Sequence, residues 1–86
     1  MNRQAKELTK VFQLALEIDA QHDTQADALI DWERREITVV IDRSGRTVYS
    51  ATINLNCRAA HAKARLIRHE LEQLKVAALA GLKGVA

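Results

Sequence analysis

The chain has 86 residues, 48% of them apolar and 28% charged, with a net charge of +2. That composition suits one small globular core and excludes a disordered or fibrous chain. No apolar run is long enough for a membrane-spanning helix, and the absence of proline with only three glycines leaves no linker.

The N-terminal Met-Asn-Arg-Gln-Ala-Lys-Glu is polar and lacks the apolar centre of a secretory signal. A single cysteine cannot form an internal disulfide, which fits a reducing compartment. The expected location is the cytoplasm.

In chain order, the spacing of Leu8, Val11, Phe12, Ala15 and Ile18 predicts a helix over 3–20. Leu14 and Leu16 widen its apolar stripe, so burial is expected over much of its circumference. Residues 21–27 are polar and aperiodic and read as an acidic loop.

Three antiparallel strands are then expected at 28–33, 36–42 and 46–55. Arg34-Arg35 closes the first hairpin and pairs Trp32 with Ile37, Ile30 with Val39 and Ala28 with Ile41. Arg43-Ser44-Gly45 suits a type I turn with Gly45 left-handed and a bulge after it, setting Val39 opposite Tyr49 and Ile37 opposite Ala51. One sheet face thus collects the apolar residues, and a one-residue slip would put half of them in water. Trp32 is expected beneath a helix, packed with Ile30, Ile37 and Val39, so that Trp32→Ala would cost ~3–5 kcal/mol. On the other face, this register aligns Leu29, Val40 and Val48 into an apolar patch that would dock a partner or the acidic loop.

A last helix is expected over 58–80, capped by Asn54 or Asn56 and ended near Gly81 and Gly84. Its core stripe is Ala60, Ala64, Ile67, Leu71, Leu74, Ala78 and Leu82. A shoulder of Ala59, Ala62, Leu66, Ala77 and Ala80 would let the first helix or a partner chain approach closely. The fold class is therefore α+β, in the order α-β-β-β-α: a three-stranded meander with both helices packed on one face.

This order is similar in topology to double-stranded-RNA-binding domains and to small ribonuclease toxins. The RNA-binding domains have a Gly-Pro-His-type loop where this chain has Glu33-Arg34-Arg35-Glu36, and a lysine-rich last helix where it has Arg58, His61, Lys63 and Arg65. The toxins place a histidine in the sheet, and no expected strand here contains one. Topology alone does not specify function.

Charge is unevenly divided. Residues 1–36 carry five basic and eight acidic side chains, net −3; residues 37–86 carry eight and three, net +5. Arg58, His61, Arg65, Arg68 and Lys75 recur along the last helix, and Arg43 and Arg46 add to them at a hairpin tip. Such a stripe would neutralise phosphates of a duplex. A charged flank that merely keeps an amphipathic helix in solution is the commoner case.

No chemistry is legible. His22 and Asp23 lie near Asp19 and Asp27, but the spacing lacks the pattern and bend glycine of a calcium loop. His61 and His69 are too far apart in sequence to share a metal on one helix. Cys57 precedes a helix, whose amides lower a thiol's pKa, yet no base accompanies it. No catalytic residue, cofactor site or metal site is expected.

The expectation is a small non-enzymatic homo-oligomeric interaction or regulatory module, with an unidentified protein partner and no membrane. The alternative is a nucleic-acid-binding module using the basic flank. The expected oligomer is a homodimer through the third strand. From Thr47 to Leu55 it carries no charge, proline or glycine, and so offers about 30 Å of undefended edge. Val48, Ser50, Thr52 and Asn54 mark that edge.

Overall fold

The computed structural model describes residues 3–85. The elements are α1 (Arg3–Asp19), β1 (Thr24–Asp31), β2 (Glu36–Arg43), β3 (Arg46–Asn54) and α2 (Ala60–Val85). The strands form one antiparallel sheet in the order β1-β2-β3, so β1 and β3 are both edges. Three strands traverse the sheet an odd number of times, so α2 starts at the end of the domain where α1 starts. The helices therefore run parallel, as the paired contacts of Glu7 with Arg68 and of Glu17 with Lys75 show.

β1 starts earlier than the sequence pattern indicates, and only a short turn remains of the acidic loop. Two bonds explain the extension. Asp19 Oδ1 accepts from the Ala26 amide at 2.8 Å, and the Ser44 amide donates to the Asp23 carbonyl at 2.9 Å. Both draw polar residues into the ladder that their own periodicity does not place there.

The first hairpin is also shifted, by two residues. Ala26 pairs with Ile41, Ala28 with Val39 and Ile30 with Ile37. Trp32 leaves the sheet for a four-residue turn and is 70% exposed, which corrects the expectation of a buried tryptophan. A two-residue turn at Arg34-Arg35 would need left-handed backbone at both arginines, which costs about 1–2 kcal/mol for each residue with a Cβ. The longer turn needs it only at Arg35 (φ 57°). Asp31 Oδ1 steadies that turn by accepting from the Glu33 and Arg34 amides, both at 3.1 Å.

The second hairpin closes on Ser44 and Gly45, with φ of 54° and 77°, between paired Arg43 and Arg46. Two left-handed residues make a type I′ turn, for which Gly45 is suited. A bulge beside Ile41 and Asp42 follows. Turn and bulge together displace the expected register by two residues, pairing Val39 with Ala51 and Ile37 with Ile53. Because both displacements are even, every side chain that stays in the sheet keeps the expected face.

The core lies between β2 and the two helices. Val11 and Ile18 of α1 meet Val39 and Ile41 of β2, Ile53 of β3, and Ala60, Ala64, Ile67 and Leu71 of α2. Coverage is uneven across the sheet. Ile37, Val39 and Ile41 on β2 are buried, whereas Ala28 is exposed and Ile30 is 43% exposed on the same face of β1.

α2 begins at Ala60, after a turn in which Asn54 Oδ1 accepts from the Asn56 amide, so Asn54 shapes the approach rather than capping the helix. The helix continues through Gly81 and Gly84 to Val85, so these glycines do not end it. The expectations for the side chains of Ala78, Ala80 and Leu82 lie outside the described residues. Of the shoulder, Ala59, Ala62, Leu66 and Ala77 face solvent, not α1.

Candidate interaction surfaces

The basic residues of α2 divide between two roles. Arg68 points at α1: its Nε donates to Glu7 Oε2 at 2.8 Å, and its Nη1 donates to Glu72 Oε1 at 3.1 Å. Lys75 donates to Glu17 Oε2, and Arg65 Nε lies 3.9 Å from Glu7 Oε1. Arg43 turns toward Gln21 and Thr24. His61 is half-buried beside Lys6, Lys10 and Arg65, with its Nδ1 unpartnered among the described residues. Arg46 and Arg58 are exposed, but Arg46 opens β3 and Arg58 lies in the turn beyond its other end. The seven side chains thus do not form one continuous strip of cations facing a duplex, and several are committed to the seam between the helices.

That seam titrates. Burial alone would raise the Glu7 carboxyl, but the hydrogen bond and charge of Arg68, with Lys10 and Arg65, hold it below the ordinary range. The Lys75 hydrogen bond lowers Glu17 against the opposing effect of burial. A carboxylate lowered by folding contributes stability that is present above its unfolded value and is lost as pH falls through the folded one. Denaturation at successive pH values should therefore show stability falling below about pH 4.5, the ordinary glutamate value. The Glu7→Gln, Glu17→Gln double variant should flatten that fall. An identical acid limb in the variant would contradict the assignment.

The third strand carries the expected edge residues Val48, Ser50, Thr52 and Asn54, all exposed. Above it, Tyr49 donates to Glu70 Oε1 at 3.2 Å, joining β3 to α2. Burial and the neighbouring Glu70 carboxylate push the Tyr49 hydroxyl well above its usual value, so it remains a donor.

The expected patch of Leu29, Val40 and Val48 is not a row. Leu29 pairs with Thr38, Val40 lies between Asp27 and Ser50, and Val48 sits at the bulge. The hydroxyls of Thr38 and Thr52, 3.0 Å apart, link β2 and β3 on this face, so it is largely polar.

A more apolar surface lies along α1 and β1. Leu16 is 73% exposed, and with Phe12, Ala15 and Asp19 it forms one wall of a cleft whose other wall is Ala26 and Ala28. Ile30, on the same face of β1, and Trp32, in the turn that follows, are also exposed. Sequence reasoning missed this surface because the register assumed for Trp32 placed β1 deeper beneath the helices. One signal was present. Leu8, Val11, Phe12, Leu14, Ala15, Leu16 and Ile18 span a wider arc than one edge of a three-stranded sheet can cover.

Cys57 is an exposed thiol in the turn before α2. Among the described residues no three His, Cys, Asp or Glu side chains gather where they could hold a metal ion. Nor is any described helix long and apolar enough to cross a membrane. No protein-family model, curated protein or solved structure matches this chain, so the surfaces just described carry the functional argument alone.

Proposed function

We propose that this chain is a small non-enzymatic interaction module of the cytoplasm that works as a homo-oligomer and presents a partner surface built by that assembly. The observation that supports this reading is the exposed Leu16, Ile30 and Trp32 and the apolar cleft lined by Phe12, Leu16 and Ala28, beside the β1 sheet edge. Contiguous apolar area rimmed by polar groups is the usual mark of a protein interface. Two sheet edges are available to strand pairing: β1, whose Ala26 amide is already held by Asp19, and the third strand with Val48, Ser50, Thr52 and Asn54. Pairing at either edge with a second copy would satisfy that edge in both copies and extend the sheet to six strands.

Sedimentation velocity at micromolar concentration tests the reading. A species of twice the chain's mass that dissociates on dilution is the expected result. A monomer throughout the micromolar range would overturn it.

A further inference from the structure

We infer that the cleft between the starts of α1 and α2 binds the terminal phosphate of a small phosphomonoester, held by Lys6, Lys10, Arg65 and the His61 ring. The residues all belong to one copy, so the inference is independent of the homo-oligomer reading.

The helices run parallel, and the Glu7–Arg68 contact sets their relative level. Lys6 and Lys10 stand one turn apart on the same side of Glu7, and His61 and Arg65 stand one turn apart on α2, each step about 6 Å. With Glu7 these side chains line a cleft of about 200 Å³. At about 30 Å³ for each water of the liquid, that is room for a phosphate group and part of its hydration.

The carboxylate in the cleft is already matched. Glu7 is buried and accepts from Arg68 Nε at 2.8 Å. Arg65 Nε lies 3.9 Å from Glu7, too far for a hydrogen bond, and its side chain is 58% exposed, so its donors are open. Lys6 and Lys10 are exposed and make no ion pair among the described residues, although Lys10 reaches Glu7 through its field. Three cations therefore border one cleft whose carboxylate is held by a fourth. His61 adds an independent sign. Its Nδ1 is buried without a partner among the described residues, whereas a histidine on a solvated flank leaves both nitrogens to water. The half-buried ring lines the cleft, so Nε2 is the nitrogen open to a ligand, and with its proton there it donates to an anion. A phosphomonoester carries nearly two charges and three terminal oxygens at neutral pH, which suits three cations and an N–H better than the single charge of a diester. The basic residues do not continue from the cleft as a strip, so a polynucleotide backbone has no track to follow.

Titration with inorganic phosphate at constant ionic strength, read on the histidine ring resonances by NMR, tests the site. His22 and His69 are exposed and outside the cleft, so the His61 ring alone should shift, along a saturating single-site curve. The Lys6→Gln, Lys10→Gln double variant should weaken phosphate binding by at least about tenfold, through two lost charge-assisted contacts. The Arg46→Gln, Lys63→Gln double variant removes the same charge outside the cleft and should leave binding unchanged. All four positions are exposed, so both variants should keep the fold by circular dichroism. Glycerol phosphate, a monoester, should bind at least about tenfold more tightly than dimethyl phosphate, a diester with one charge fewer.

A His61 ring that does not respond, or three histidines that drift together without saturating, overturns the inference and leaves a solvated basic flank. Equal losses in the two double variants overturn it as well, since net charge alone would then govern binding. Equal affinity for the two esters, or binding of a short duplex where inorganic phosphate fails to bind, makes the cleft a contact for a diester backbone and overturns the monoester assignment.

Discussion

Ile41→Ala should destabilise the domain by about 3–4 kcal/mol, the middle of the range for removing a large buried aliphatic group. Ile41 is fully buried on the central strand, paired with Ala26 on one side and Tyr49 on the other, and it belongs to the cluster that joins both helices to the sheet. Neighbours held by two ladders cannot collapse into the space it leaves. A domain of this size has on the order of 5–10 kcal/mol in total, so the variant should be close to unfolding at moderate temperature. Urea denaturation reads the change, and a loss under about 1 kcal/mol would contradict the packing described. Trp32→Ala supplies the contrast. The same large-to-small change at an exposed turn residue should alter monomer stability by no more than about 0.5 kcal/mol.

Ala64→Leu should cost about 1–3 kcal/mol by the opposite mechanism, overpacking. Ala64 is fully buried where α2 crosses the sheet, and with Ala60 it keeps the helix close to the strands. Three added carbons must push α2 outward, which strains the Tyr49–Glu70 bond and the Arg68–Glu7 contact on its two flanks. Ala62 faces solvent on the same helix, and Ala62→Leu should fall within about 0.5 kcal/mol of the unmodified chain. Equal effects at the two positions would mean that the helix is rotated from the face assigned to it.

Period told the elements apart, and turn chemistry misplaced their ends. The apolar positions of α1 and α2 recur at helical spacing and those of β2 alternate, so element order and core face were both legible in the sequence. Val39, Ile41, Ile53, Ile67 and Leu71 are buried where that pattern puts them. Where a strand enters its turn depends instead on single hydrogen bonds. Asp31 accepting from two amides draws Trp32 out of the sheet, and Asp19 accepting from Ala26 extends β1 backward. An aspartate can cap, turn or simply meet water, and nothing in its neighbours along the chain decides among these.

The surfaces were less legible for a related reason. A row of arginines and lysines on a helix reads the same whether it faces solvent or a second helix. Glu7 and Glu17 lie far from Arg68 and Lys75 in sequence, and only the parallel packing of α1 and α2 brings them together. Much of the basic flank of α2 proves to be half of an interhelical seam. The apolar surface of α1 was visible as an overly wide stripe. Its meaning depended on how far β1 reaches beneath the helix, which follows from the turn.

The most direct test of the assembly is amide hydrogen exchange along both edge strands as a function of protein concentration. In an isolated copy, alternate amides of β1 and of β3 have no ladder partner, and apart from that of Ala26, which Asp19 holds, they should exchange freely. A strand-paired dimer predicts that the outward amides of one edge strand, Thr24–Asp31 or Arg46–Asn54, become protected as concentration rises through the dimerisation range, while those of the other do not change. Exchange on both strands that is independent of concentration would contradict it.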